Sequence, residues 1–199
     1  MAERPTYREM WPLYKRYWDR MDVKDDREAE ALAACEKLLK NKHRYMTVES
    51  LTKVPWDMVA VLHMRESGAR FDRQLGQGDP LDKVSVHIPK QMGPYLTFEE
   101  SAYDIMIVKG YNTIVDWRLE KKLYYSENWN GWGYWQYRGQ MPSPFLWGAT
   151  NIQKIGKYIA DGAWDPNTWD IQLGCAALLK GLMSLNKPIE GSIYMKREE

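Results

Sequence analysis

Long apolar runs, cysteine, phenylalanine and any excess of charge are all scarce in this chain, and each scarcity excludes something. No stretch approaches the roughly 20 apolar residues that a bilayer-crossing helix needs, so stable membrane insertion is not expected. The two cysteines, Cys35 and Cys175, lie far apart in helical-looking apolar patterns. They match no metal spacing and read as buried free thiols. The 28 Lys and Arg residues are balanced by 27 Asp and Glu, so nothing in the total calls for a nucleic-acid or anionic-membrane partner, and no nucleic-acid partner is expected. The start, Met1 to Trp18, lacks the basic-then-apolar order of a signal peptide, so the expected location after synthesis is the cytoplasm. Only 3 Phe stand beside 10 Trp and 13 Tyr. Rings with a polar handle suit a cleft that must hold something both flat and wet.

With 199 residues, 44% of them hydrophobic and 28% charged, the chain sits in the ordinary globular range and reads as one domain. Tyr7, Met10, Trp11, Tyr14, Tyr17, Trp18 and Met21 recur at helical steps and predict a first helix over residues 7–21. A second is predicted from Asp25 to Tyr45, with Ala31, Cys35, Leu38 and Leu39 inward. Lys53 to Ser67 is apolar on every side between Met58 and Leu62, which places that helix in the core, with Gly68 as a left-handed cap. Residues 70–96, broken by Gly and Pro, predict a loop with a short strand or hairpin around Val84–Ile88. Thr97 and Glu100 form a capping box that opens a helix to Lys109. Further helices are expected over 114–125, 152–160 and 168–185, with an ordered aromatic loop over 126–150 and a polar tail from Lys187. The fold class is therefore mainly α, with short strands near residues 75–96.

Cleaving a glycosidic bond near neutral pH requires a carboxylic acid that keeps its proton. Glu66 is the acid placed for this. It ends the most apolar helix in the chain, where desolvation and the negative end of the helix dipole both disfavour its charge. His63, three residues earlier, and Ser67, directly after, could orient it. A lone histidine in such a place is more often a satisfied core group, so His63 ranks only as a supporting candidate.

The run His63-Met64-Arg65-Glu66-Ser67-Gly68 through Phe71, followed by Gln74-Leu75-Gly76-Gln77-Gly78-Asp79-Pro80-Leu81, resembles phage endolysins and phage-like lysozymes. The similarity continues through Val84–Pro89, Asn130-Gly131-Trp132-Gly133-Tyr134, Arg138-Gly139, Pro142–Trp147, Gly156–Gly162 and Gln172–Ala176. The resemblance implies a lysozyme-like helical fold that cleaves the glycan strands of bacterial peptidoglycan between N-acetylmuramic acid and N-acetylglucosamine. In goose-type lysozymes and lytic transglycosylases a Glu-Ser pair at the end of a central helix supplies the acid, which corresponds here to Glu66. A Tyr-Asn-Ala-Gly-like stretch of those families has its nearest match at Asn130-Gly131. The expected tyrosine is missing, and Tyr134 could replace it. Asp79, similarly placed to an aspartate of goose-type enzymes, is the candidate water-activating base, with Asp82 as fallback; Asp in Gly-Asp-Pro is also an ordinary turn former.

Aromatic planes and amides match the C–H face and hydroxyl rim of a pyranose. Trp132, Tyr134, Tyr137 and Trp147, with Asn130, Gln74 and Gln77, are the candidate sugar contacts, although half of the rings in residues 124–147 are expected simply to pack the loop. Arg65, Arg70 and Arg73 either face anionic peptide stems or are solvated. No metal or organic cofactor is called for. Residues 50–185 form the expected catalytic core, and residues 7–45 a helical layer for packing or wall targeting. As an endolysin, the chain would act as a monomer and wait in the host cytoplasm for a holin-type pore. The alternatives are a lytic transglycosylase, a chitinase or chitosanase, and a non-catalytic wall-binding or virion structural protein.

Overall fold

The computed structural model describes residues 3–186 apart from Gln77, Ile88 and Asp161, so the tail from Lys187 lies outside the described residues. Helix α1 (Tyr7–Asp19) opens on a capping box in which Thr6 and Glu9 satisfy each other's backbone donors. It buries Met10 and Tyr14 and packs against α6 (Leu119–Asn130), where the Tyr124 hydroxyl reaches back to the Pro5 carbonyl at 3.0 Å.

The single helix expected over 25–45 is instead a 3₁₀ turn, Asp25–Arg27, followed by α2 (Glu28–Lys40) and α3 (Lys42–Thr52). Asn41 makes the break. Its side chain donates to the Lys37 carbonyl at 2.9 Å, and asparagine competes for helix hydrogen bonds in this way. The turn lets Tyr45 and Val48 of α3 pack inward beside α4 (Trp56–Ser67). Met58 through His63 of α4 are all buried, and α2, α3, α6 and α9 (Cys175–Leu185) surround it. Helix α4 ends at Gly68, whose φ of 64° gives the left-handed cap its sequence suggests. Helix α5 (Phe98–Val108) begins at the Thr97–Glu100 capping box.

Five further expectations are corrected. Residues 84–87 form no strand, because the backbone donors of Val86 and His87 go to the Asp79 carboxylate rather than to a partner strand. The antiparallel pair lies elsewhere, at β1 (Lys157–Ala160) and β2 (Ala163–Asp165). Residues expected as the helix 152–160 thus form a turn and β1. The Ile152, Ile155 and Ile159 spacing mimics a helix, but Gly156 at φ 115° and the Asp161-Gly162 turn signal favour the hairpin. The last helix starts at Cys175 rather than Thr168, since Asp165 accepts from the Asn167 backbone and the Thr168 hydroxyl, closing a local turn. Residues 126–150 contain the end of α6, α7 (Gly133–Tyr137) and α8 (Pro144–Trp147). The helix expected over 114–125 is shifted to α6. The fold is mainly α with one small hairpin. Among the described residues no helix is long and apolar enough to cross a membrane.

Candidate active site

Glu66 is the penultimate residue of α4. Its half-buried side chain is held by α6, where the Trp129 indole N–H donates to Oε1 at 2.8 Å. Burial pushes the Glu66 pKa up to about 7, against the opposing pull of the Trp129 hydrogen bond and the Lys109 and Arg65 charges. Lys109 lies 4.6 Å from the Trp129 ring centroid, so the indole that points its N–H at the carboxyl also carries a cation against its ring. Burial also lowers the Lys109 pKa, with Glu66 pulling the other way.

Glu66 opens on a cleft of about 860 Å³, within the roughly 300–1,000 Å³ of small-molecule sites. Its walls come from several parts of the chain. Arg65 and Glu66 belong to α4, and Asn130 ends α6. Tyr134 and Tyr137 stand on α7, and Lys157 through Ala160 form β1. Asp170 and Gln172 complete it from the approach to α9. Arg65 and Asp170, both buried, form a fork with contacts of 2.5 and 3.4 Å. Burial alone would raise the Asp170 pKa, but the Arg65 fork, the Gln172 N–H and Lys157 hold it below the ordinary carboxylate value. Asp170 therefore stays ionised while Glu66 shares its proton with solvent near neutrality.

The sequence-predicted residues divide sharply. Glu66, Asn130, Tyr134 and Tyr137 line one cleft. Tyr134 is tied down, its hydroxyl accepting from the Tyr158 N–H at 3.2 Å, whereas Tyr137 is exposed. The other described ones are not among the lining residues. His63 is fully buried, paired with the Tyr45 hydroxyl and the Arg70 carbonyl and stacked on Phe98. Burial lowers its pKa to about 4, so it is a neutral core histidine. The Ser67 hydroxyl donates to the His63 carbonyl at 3.3 Å. Gln74 is buried and its amide donates to the Pro80 and Lys83 carbonyls. Trp132 packs on Tyr124, and Trp147 packs under Tyr14 and Tyr17; both belong to the core. Gln77 lies outside the described residues.

Asp79 anchors its own loop. Oδ1 accepts from His87 Nδ1 at 2.8 Å, and Oδ2 accepts from two backbone N–H groups. Burial pushes its pKa up, but these bonds outweigh it and the net shift is downward. Asp82 is exposed beside Lys83. Among the three arginines, Arg65 is locked on Asp170, while Arg70 and Arg73 both lie by Asp72 on the surface.

Sequence reasoning counted Trp129 among the rings of the aromatic segment and Arg138, Tyr158 and Gln172 within the blocks of resemblance, but gave none of them, nor Lys109 and Asp170, a role in the site. Trp129 carries the clearest signal of these, as an indole directly before Asn130 in the aromatic segment. Among the described residues no group of three His, Cys, Asp or Glu side chains is arranged to hold a metal ion. Comparison with protein-family models, curated proteins and solved structures finds no significant match to this chain.

Proposed function

We propose that this chain is a glycosidase that cleaves the glycan strands of bacterial peptidoglycan, with Glu66 as the proton donor. One observation carries the reading: a half-buried carboxyl with its pKa raised to about 7 faces a cleft lined by tyrosines and amides. At pH 7 about half of such groups bear a proton, against about one in 300 for an ordinary glutamate. Protonating the bridging oxygen lets the leaving sugar depart neutral as positive charge develops on the anomeric carbon. Trp129 keeps one carboxyl oxygen in place, leaving the other to carry the proton. The reaction needs no metal or organic cofactor. Host-cell lysis as an endolysin, reaching the wall through a holin-type pore, is the biological role that suits this chemistry.

A second reading, lytic transglycosylase, is favoured by the state of the other carboxylates. Asp79 is occupied by three hydrogen bonds and Asp170 by Arg65, so neither is a free base for water. A muramyl hydroxyl attacking within the substrate would need no second carboxylate. Glu66→Gln should abolish clearing of a purified cell-wall suspension without loss of fold, and retained clearing by a folded variant overturns the proposal. Mass spectrometry of the wild-type fragments separates the two readings, because anhydro-ended products lack one water. Sugar binding without turnover would point instead to a wall-binding protein.

A further inference from the structure

The cleft is built for more than a neutral sugar chain. Among its lining residues are three cations, Arg65, Lys157 and Arg138. Arg65 forks Asp170, and Lys157 lies 3.5 Å from the same carboxylate. Arg138 differs. Its guanidinium lies 4.7 Å from the Trp164 ring centroid and 5.2 Å from that of Tyr158, and Nε donates to the Tyr158 hydroxyl at 3.1 Å. Among the described residues no carboxylate pairs with it. Two rings and one hydrogen bond thus fix the orientation of the guanidinium, and no described residue takes its terminal nitrogens. A fixed planar fork recognises carboxylate oxygens in pairs. When Glu66 carries its proton, Asp170 is the one ionised carboxylate among the described lining residues beside three cations, a surplus that an uncharged oligosaccharide would leave unanswered.

We propose that Arg138 is a carboxylate anchor in the cleft, taking an acidic side branch of the saccharide. This rests on the glycan reading above. The shared chemistry is a carboxylate beside the ring. Its source is the lactyl group of a stripped muramyl residue or the peptide stem of an intact one. Lys157 adds its field to the same region, while its own contact with Asp170 leaves Arg138 as the directional partner. The assignment also replaces the surface arginines Arg70 and Arg73, both of which lie by Asp72.

The test is calorimetric titration in the Glu66→Gln protein, where binding is read without turnover. Three ligands of equal length are used: neutral chitotetraose, an alternating muramyl tetrasaccharide with free lactyl carboxylates, and the same tetrasaccharide bearing peptide stems. Adding Arg138→Met should weaken one or both acidic ligands by about 10-fold or more and chitotetraose by less than about 2-fold. The acidic ligand that weakens identifies the source of the carboxylate. Arg138→Lys should recover only part of the loss, because it restores the charge without the fork. Should Arg138→Met fail to fold, Arg138→Lys and salt dependence decide, since salt should weaken the acidic ligands and spare the neutral one. Equal losses on all three ligands, or no loss on either acidic one, would overturn the anchor. A parent protein that binds chitotetraose as tightly as the acidic ligands overturns the anchor alone, whereas one that binds none of them overturns the glycan reading as well.

Discussion

Replacing Trp129 with phenylalanine keeps a ring near Tyr111 and Lys109 but deletes the N–H that reaches Glu66 Oε1 at 2.8 Å. That donor stabilises the ionised carboxylate, so its loss must raise the Glu66 pKa beyond its present value of about 7. Hydrogen bonds to charged groups contribute about 1.5–3 kcal/mol, or roughly 1–2 pKa units. Partial exposure of Glu66 and the remaining pull of Lys109 favour the lower end, about one unit. Because the acid works only while protonated, the alkaline limb of kcat/KM should move from near pH 7 to about pH 8. Activity at pH 8, relative to each protein's own maximum, should rise from about one-tenth to about one-half. The maximum itself should fall, since the carboxyl loses an orienting contact. Cell-wall clearing measured from pH 4 to 10 reads the limb, and NMR titration of the ¹³C-labelled Glu66 carboxyl reads the pKa directly. An alkaline limb that stays in place, or moves toward acid, would refute both the role of the N–H and the assignment of Glu66 as the titrating acid.

Glu127→Gln should stabilise the fold at neutral and alkaline pH. Burial raises the Glu127 pKa to about 8, so the wild type loses stability as pH climbs from its unfolded pKa, near 4.5, to about 8. The gain should be about 3–5 kcal/mol at pH 9 and close to zero at pH 4, as read by urea unfolding at both. Asp79→Asn should loosen the loop around His87 and cost about 1–2 kcal/mol of stability while leaving the digestion products chemically unchanged. A switch toward anhydro-ended fragments in that variant would instead make Asp79 the water-activating base. Asp170→Asn breaks the Arg65 fork and should cost about 3–5 kcal/mol, most of it recovered by Arg65→Met/Asp170→Leu in thermal melts.

Local signals in the sequence proved legible where the structure uses them locally. The Thr97–Glu100 box and the Gly68 cap sit where their side-chain chemistry places them, and the apolar run before Glu66 is the buried centre of α4. Signals that depend on distant partners were not legible. Asp170 acquires its meaning from Arg65, 105 residues away in sequence. Val84–His87 alternates like a strand, yet the Val86 and His87 N–H groups go to Asp79, and among the described residues no strand forms there. Aromatic content marked the right half of the chain without sorting the rings. Tyr137 is exposed in the cleft while Trp147 is sealed beneath Tyr14 and Tyr17, and nothing in their spacing separates the two.

The two glutamates with raised pKa values show why desolvation alone does not define a catalytic acid. Glu127 is raised further than Glu66, to about 8 against about 7. It is also fully enclosed, with Oε1 unpartnered among the described residues and a void of only about 10 Å³ beside it. A proton held there has no substrate to reach. Glu66 is desolvated less completely, and three opposing influences, the Trp129 N–H, Lys109 and Arg65, keep its pKa from rising further. On the proposed reading, those influences serve proton donation. A general acid is most effective when its pKa lies near the working pH, since a much higher value weakens its drive to donate. Lys109 acts on Glu66 through space, lowering its pKa without restoring an ordinary carboxylate's ease of ionisation. Burial keeps the proton on Glu66, and the neighbouring donor and cations keep it available to a ligand in the cleft.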